Sequence, residues 1–399
     1  MTHTTLPLSS EQALIQPAPL AGWGAVLALT LCVSTLIASE FMPVSLLTPI
    51  ASDLSVTTGA AGQAIAISGL FAVLTSLSIS QLTAGIDRRK VLLILTAIML
   101  VSALVVAFAP TFEILLVGRA LIGVVIGGFW SMSTATVMRL LPESEVPRGI
   151  ALLNGGNALA TTIAAPLGSY LGQFIGWRGA FLLVAPLAAV VLAWQWLSLP
   201  LLPSPRKSER ASTLGLLGDP TVVLGMAAVA LLFAGQFAVF TYLRPFLEHV
   251  TGLSVSSLSL VLLGMGVAGL IGTWFIGRLV EKSLAATLAL APLVMGCVAI
   301  ALTVEGAAPL PTGLLLIVWG MVGTAVPVAW WTWLSRTLPD DAEAGGGLMV
   351  AVVQLAITFG AAGGGFLFDT AGYQWAFLAG ALLLGGSTLL GLVANRSGT

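Results

Sequence analysis

Two charged residues stand inside long apolar runs of this 399-residue chain. Glu40 lies about 18 residues into a run that begins near residue 22, and Arg119 lies within the run 113–137. A charge at the centre of a membrane-spanning helix costs ~2.5–3.5 kcal/mol, so such residues usually serve a function. Apolar surroundings favour a protonated carboxyl group, which makes Glu40 a candidate proton carrier. A structural ion pair, or a carboxyl in the outer membrane interface, is the alternative.

Arg119 belongs to a helix face that also carries Gly123 and Trp130, four and eleven positions further on. That face must point into a helix bundle, because lipid cannot satisfy a guanidinium group. Arg119 could pair with Glu40 and change partner when the carboxyl is protonated. It could equally be a static polar clamp, and the sequence leaves both possibilities open.

The composition is that of a protein that crosses a membrane many times. Hydrophobic residues make up 58% of the chain and charged residues 8%, against about 25% charged in a soluble domain. The net charge of -1, without a basic stripe, excludes nucleic-acid binding. With two cysteines, two histidines and no cluster of them, we expect no metal and no cofactor. No phosphate-binding loop appears, so an ion gradient is the expected energy source.

Apolar runs of about 20 residues predict an all-α fold, since each is long enough to cross a bilayer as a helix. Twelve such spans are predicted: 22–47, 60–83, 91–109, 113–137, 149–171, 177–199, 221–246, 255–277, 284–304, 312–334, 346–368 and 374–394. With both termini in the cytoplasm, twelve of the fifteen Lys and Arg residues fall in cytoplasmic segments. The positive-inside rule therefore predicts both the count and the orientation.

A short repeat divides the chain into two halves. The residues Arg139 to Glu143 resemble Arg336 to Asp340, and a Gly-Trp run at 176 resembles a Gly-Tyr run at 372, at offsets of 197 and 196. We expect two pseudo-symmetric six-helix bundles with a substrate site between them. The predicted parts are a tail (1–21), an N-terminal bundle (22–199), a linker (200–219), a C-terminal bundle (220–395) and a tail (396–399).

Four motifs resemble those of the major facilitator superfamily. The loop after span two carries Gly85, Asp87, Arg88 and Arg89, similar to the family's signature loop. Arg119 and Gly123 resemble its buried-arginine motif, and Ala165-Pro166-Leu167-Gly168 is similar to its antiporter motif, with Ala165 departing from the usual glycine. Span one carries a Glu-Phe-x-Pro run, at Glu40 to Pro43, that resembles twelve-span proton-coupled exporters. The resemblance implies that Asp87 caps a neighbouring helix or meets a basic residue in the other half, and so latches the outward-open state.

Further runs narrow the resemblance to purine-ribonucleoside efflux pumps of bacterial inner membranes. They surround Trp130, Gln236, Arg244 and Trp330, and the resemblance extends from about residue 25 to 370. It implies a multi-pass inner-membrane exporter, expected as a monomer, that exchanges purine ribonucleosides for protons. A sugar or multidrug exporter of the same superfamily is the alternative. An enzyme or a receptor is disfavoured, because neither a catalytic set nor an output domain is evident.

A nucleoside needs aromatic planes for its base and neutral polar groups for its ribose. The spans offer both, as Trp130, Asn154, Asn157, Gln236, Phe237, Phe240, Trp330, Trp331 and Gln354. Each amide could instead join two helices, which is about as common a role in membrane proteins. These nine residues are the predicted substrate cavity.

Overall fold

The computed structural model describes residues 19–203, 215–338 and 342–396, and these ranges are almost entirely helical. The predicted tails and linker lie partly outside them, at 1–18, 204–214 and 397–399. The helices are α1 (Pro19–Asp53), α2 (Thr58–Leu82), α3 (Arg88–Ala107), α4 (Phe112–Leu140), α5 (Val146–Leu182), α6 (Val184–Ser198), α7 (Pro220–Phe240), α8 (Leu243–His249), α9 (Val255–Lys282), α10 (Leu284–Glu305), α11 (Pro309–Thr337), α12 (Ala342–Ala371) and α13 (Tyr373–Arg396).

Eleven described segments are long and apolar enough to cross a membrane. One of them, Arg148–Ser198, is 51 residues long and is broken at Gly176, where φ is 71° and ψ is 168°. The chain can reverse here because glycine, which has no Cβ atom, adopts a positive φ that residues with a side chain rarely adopt. Counting both sides of the break gives the twelve spans that the sequence predicts. Gly372, 196 residues later, has a φ of 90° at the corresponding turn between α12 and α13.

The seventh span is one segment in the sequence and two helices in the structure. α7 ends at Phe240, and α8 begins at Leu243 after a turn at Thr241 and Tyr242. Pro245 explains the break, because it has no N–H to donate to the carbonyl of Thr241, four residues earlier. The short helix α8 is therefore a separate element, which packs against α1 and α9.

The helices form two packed groups, called here the N-terminal helices (α1–α6) and the C-terminal helices (α7–α13). Within the first group α1 packs along α5 and α2 along α4, and within the second α9 packs along α11 and α7 along α13. The main contacts between the groups are α2 with α12 and α5 with α9. The candidate functional site lies in this interface, where these four helices and α1 meet.

Most described basic residues lie at one end of the helices, called here the basic end. They are Arg88, Arg89, Lys90, Arg139, Arg148, Arg278, Lys282, Arg336 and Arg396. The opposite end, called here the far end, contains the turns 54–57, 108–111, 250–254 and 306–308. Alternating helix directions thus produce the charge asymmetry that the sequence predicts.

Candidate functional site

The N-terminal and C-terminal helices are joined by hydrogen bonds in the far half of the structure. At the far end, the Gly59 N–H donates to Asp369 Oδ1 (2.8 Å) and Thr57 Oγ1 donates to Asp369 Oδ2 (2.5 Å). A carboxylate from α12 thus lies at the first turn of α2, where the helix dipole favours negative charge. Further in, Thr358 Oγ1 donates to the carbonyl oxygen of Ala66 (3.2 Å). The two groups are therefore closed together at this end.

The same helix faces are separated in the basic half. Residues seven positions apart lie two turns apart on nearly one face, as do Gly155 and Thr162 in α5 and Gly347 and Gln354 in α12. A Cβ atom added at Gly155 or Gly347 would meet no described atom within 4 Å. One added at Gly266 of α9 would lie 2.7 Å from the Thr162 carbonyl oxygen. The space between the two groups therefore opens toward the basic end.

Glu40 lies where the closed half meets the open half. Gln354 Nε2, from α12, donates to Glu40 Oε1 of α1 at 3.4 Å. Glu40 is only 6% exposed. Among the described residues, Gln354 Oε1 has no hydrogen-bond partner. An ionisable carboxyl and a neutral amide thus meet at the inner end of the opening, one from each group of helices.

Arg119 is buried beside Glu40 and donates to oxygens of α1 and α2. Its Nη1 donates to the Ser39 carbonyl (2.8 Å) and its Nη2 to the Glu40 carbonyl (3.1 Å). Nε and Nη2 also donate to the Ala64 carbonyl (3.0 Å) and Ser68 Oγ (3.2 Å). The guanidinium therefore contacts the backbone of Glu40 and forms no ion pair with its carboxylate, both groups being described. The static clamp matches this conformation, and an exchange of partners stays a prediction.

Three rings form an aromatic cluster across the interface, called here the phenylalanine cluster. Phe41, next to Glu40 in α1, stacks on Phe237 of α7 with ring centroids 6.0 Å apart. Phe240, one turn further along α7, lies edge-on to both rings at 6.2 and 5.7 Å. Two of the three residues were predicted from sequence, and Phe41 was missed. The cluster therefore joins α1 of the N-terminal helices to α7 of the C-terminal helices through aromatic contacts.

The other predicted amides lie in different surroundings. Asn154 is exposed and Asn157 half-buried, both in the part of α5 that borders the opening near Gly155. Gln236 Nε2 instead donates to the carbonyl of Gly323 in α11, at 3.5 Å. Gln236 therefore joins two C-terminal helices in this conformation, whereas the side chains of the two asparagines form no hydrogen bond within the ranges that the structure describes.

Within the part of the chain that the structure describes, the predicted tryptophans make no ring–ring contact with the phenylalanine cluster. Trp130 is half-buried against the core of the N-terminal helices, edge-on to Phe129 at 6.4 Å. Trp330 is buried in the core of the C-terminal helices, 5.5 Å from the ring of Trp333. Trp331 is exposed. In this conformation Trp130 and Trp330 have the surroundings of packing residues, and a role of Trp331 in the cavity stays a prediction.

The loop between α2 and α3 is held by the N-terminal helices themselves. Gly85 has a φ of 81°, and Asp87 caps α3 by accepting the Arg89 N–H at 2.8 Å. Both carboxylate oxygens of Asp87 also accept the Leu202 N–H, at 3.2 and 3.1 Å. The Arg88 N–H donates to the Leu202 carbonyl at 2.8 Å. Asp87 thus ties the loop to the chain that follows α6, and its role as an outward-open latch stays a prediction.

Pro166 and Gly168 let α5 approach two neighbours closely. Pro166 has no N–H for the Thr162 carbonyl, which instead faces Gly266 of α9. A Cβ atom at Gly168 would lie 2.7 Å from Ser45 Oγ in α1. The antiporter-like segment is therefore the place where α5 touches both α1 and the C-terminal helices.

A second buried arginine was not recognised from sequence. Arg244 of α8 falls in one of the runs that carry the resemblance, but the sequence predicts no role for it; the structure shows that it is 6% exposed and donates to the Ser45 carbonyl of α1. The neighbouring Tyr242 donates to the Ala361 carbonyl (2.7 Å) and is buried between α2 and α12. The position of Arg244 within an apolar run is the sequence feature that could have indicated its burial.

The geometry is that of a membrane transporter in which two helix groups meet around a buried carboxyl. The family model described as Major Facilitator Superfamily matches residues 27–361. The chain belongs to this superfamily.

Two named relatives match nearly the whole chain. It is 52% identical to "Transcription regulatory protein OpdE" of Pseudomonas aeruginosa, over all of this chain and 99% of that protein. It is 42% identical to "Purine ribonucleoside efflux pump NepI" of Escherichia coli (strain K12), over 92% of each.

A solved structure has the same fold at low identity. It is a bacterial homolog of the human lysosomal transporter Spinster, in an inward-facing and unoccupied conformation. The TM-score is 0.78 at 14% identity, over 96% of this chain and 98% of that one. The all-α membrane fold is thereby confirmed, and the twelve spans counted in the described residues are consistent with it.

Proposed function

We propose that this protein is a secondary active exporter that exchanges purine ribonucleosides for protons by alternating access. The observation that carries the proposal is the buried Glu40 carboxyl, which meets Gln354 from the opposite helix group at the inner end of the opening. An ionisable group inside a membrane protein usually marks an ion or substrate pathway.

The Gln354 amide suits both protonation states of Glu40. As a carboxylate, Glu40 accepts the N–H of Gln354. As a neutral acid, it has a proton to donate to Gln354 Oε1, which has no partner among the described residues. Arg119 holds the backbone of Glu40 without neutralising the carboxylate directly. The carboxyl is thus free to gain and lose a proton while its position is maintained.

The substrate proposal rests on the named relatives and on the side chains at the interface between the two groups of helices. Phe41 and Phe240 offer aromatic surface, and Asn154, Asn157 and Gln354 offer neutral donors and acceptors. A phosphate would need several cations, so we expect nucleotides to be rejected. A sugar or multidrug exporter remains the alternative within the superfamily.

One relative, OpdE, is named a transcription regulatory protein, but this chain lacks the features of a DNA-binding protein. Such binding needs a surface rich in Lys and Arg. This chain has a net charge of -1, and its described basic residues are mostly at the ends of apolar helices. We propose instead a monomer in the bacterial inner membrane, with the basic end and both termini in the cytoplasm, as the positive-inside rule favours. The opening between the helix groups would then face the cytoplasm.

The test is efflux of radiolabelled inosine from preloaded cells, with and without a proton uncoupler. We expect efflux to require the proton gradient, and Glu40→Gln to abolish it by removing the titratable group while keeping a similar shape. Glu113→Gln, at an exposed position of α4, is the matched control and should transport normally.

Three outcomes would count against parts of the proposal. Efflux by Glu40→Gln that keeps the pH dependence of the unmodified protein would remove Glu40 from proton coupling. Export of an arabinose or thiogalactoside analogue without export of inosine would favour the sugar exporter. Efflux that ignores the uncoupler would exclude proton antiport.

A further inference from the structure

Arg244 crosses from the C-terminal to the N-terminal helices at the far end. Its Nη1 donates to the Ser45 carbonyl of α1 and lies 3.5 Å from Ser169 Oγ of α5. Its Nε donates to Glu248 Oε1 within α8 at 2.8 Å. The arginine is 6% exposed, so a charged group is buried in the contact between the two groups of helices.

Pro49 explains why the Ser45 carbonyl needs an outside donor. In an α-helix this oxygen would accept the N–H of residue 49, which proline lacks. Such freed carbonyls in membrane helices are satisfied by neighbouring groups. Arg244 supplies the missing donor from another helix.

The same arrangement occurs six residues earlier in α1. Pro43 has no N–H for the Ser39 carbonyl, and Arg119 donates to that oxygen at 2.8 Å. The two cases differ in one respect. Arg119 and Ser39 both belong to the N-terminal helices, so their contact persists when the two groups of helices move apart. The contact of Arg244 with Ser45 joins the two groups, so it must break when the far end opens.

We propose that Arg244 is a positioning residue that closes the far end by donating to the carbonyl freed by Pro49. This rests on the proposed alternating access, and it adds a residue and a mechanism for one of the two states. When the far end opens, Glu248 moves with Arg244 because both lie in α8. Glu248 Oε2, which has no partner among the described residues, can then accept a second guanidinium N–H. The arginine therefore leaves Ser45 without losing its counter-charge.

The test measures the distance between spin labels at the far end in the purified, full-length protein. Thr111→Cys and Ser256→Cys place labels at exposed positions of the two groups, in a chain with Cys32→Ala and Cys297→Ala. We expect Arg244→Met to raise the ratio of the open population to the closed population on the order of tenfold. A change of that size is typical of losing a hydrogen bond from a charged group. Arg244→Lys, which keeps the charge and can reach with one donor, should restore part of the closed population.

Pro49 supplies a control that distinguishes the proposed role of Arg244 from a merely structural one. Pro49→Ala restores the N–H that bonds the Ser45 carbonyl, so Arg244→Met should change the ratio much less in that background. In a Pro43→Ala background the effect of Arg244→Met should remain complete. The difference between the two backgrounds is the coupling that a double-mutant cycle isolates.

An unchanged distance distribution in Arg244→Met, or an equal shift in all three backgrounds, would overturn the proposal. If Arg244→Met does not accumulate as folded protein, the same comparison with Arg244→Lys decides. The measurement uses neither substrate nor a proton gradient, so a wrong substrate would leave its result intact. A single far-end distance in every variant and at every pH would instead argue against alternating access itself.

Discussion

At the residue scale, prolines in the spans create hydrogen-bond acceptors that polar side chains fill. Pro327 of α11 frees the Gly323 carbonyl, and Gln236 donates to that oxygen. Arg119 and Arg244 do the same for two carbonyls of α1. A polar side chain that looks isolated in an apolar run can therefore be matched to a proline elsewhere in the sequence.

The phenylalanine cluster leads to a prediction for Phe41. If its ring stacks on a purine, Phe41→Ala should weaken the apparent affinity for inosine about three- to tenfold, the usual worth of one aromatic contact beyond burial. The loss should be smaller for a pyrimidine nucleoside, which has one ring. Competition of unlabelled nucleosides against radiolabelled inosine transport measures both.

Trp375→Ala, which removes an exposed ring remote from the cluster, is the control for Phe41→Ala. It should leave both affinities unchanged. Equal losses for purine and pyrimidine substrates, or no loss at all, would show that Phe41 only packs between α1 and α7.

At the element scale, α9 contains two glycines in opposite situations. A Cβ atom at Gly266 would lie 2.7 Å from the Thr162 carbonyl of α5, whereas one at Gly277 would meet no described atom within 4 Å. Gly266→Ala must push α5 and α9 apart, so we expect it to favour the state open at the far end and to slow export. Gly277→Ala is the matched control and should be neutral or stabilise the helix by about 0.5–1 kcal/mol.

The pair of labels at residues 111 and 256 reports the outcome for both glycines. A longer far-end distance in Gly266→Ala than in Gly277→Ala is expected. Identical distances, together with equal transport rates, would mean that the α5–α9 contact adjusts without moving the two groups of helices.

The elements themselves could be predicted from sequence, but their conformational state could not. Run length predicted the spans, and the cost of burying charge marked Glu40 and Arg119. Phe41 and Arg244 were missed because their contacts join segments about 200 residues apart, and nothing in a local pattern reports that approach. Whether the far end or the basic end is closed depends on small differences between two packings of the same helices.

At the scale of the whole molecule, the distribution of charge predicts the orientation in the membrane. Glu143, exposed at the basic end, and Ser256, exposed at the far end, are suitable sites for single cysteines. In a chain with Cys32→Ala and Cys297→Ala, a membrane-impermeant maleimide should label Ser256→Cys in intact spheroplasts. It should label Glu143→Cys only after the membrane is permeabilised. The reverse pattern would invert the proposed topology.

The prolines of α1 also bear on how the protein is made. As the first span leaves the ribosome it carries two carbonyls, at Ser39 and Ser45, that lack their normal helical donors. Arg119 arrives with the fourth span, but Arg244 arrives only when the second half of the chain is being synthesised. The first helix is therefore completed in two stages, and the second stage coincides with assembly of the two halves.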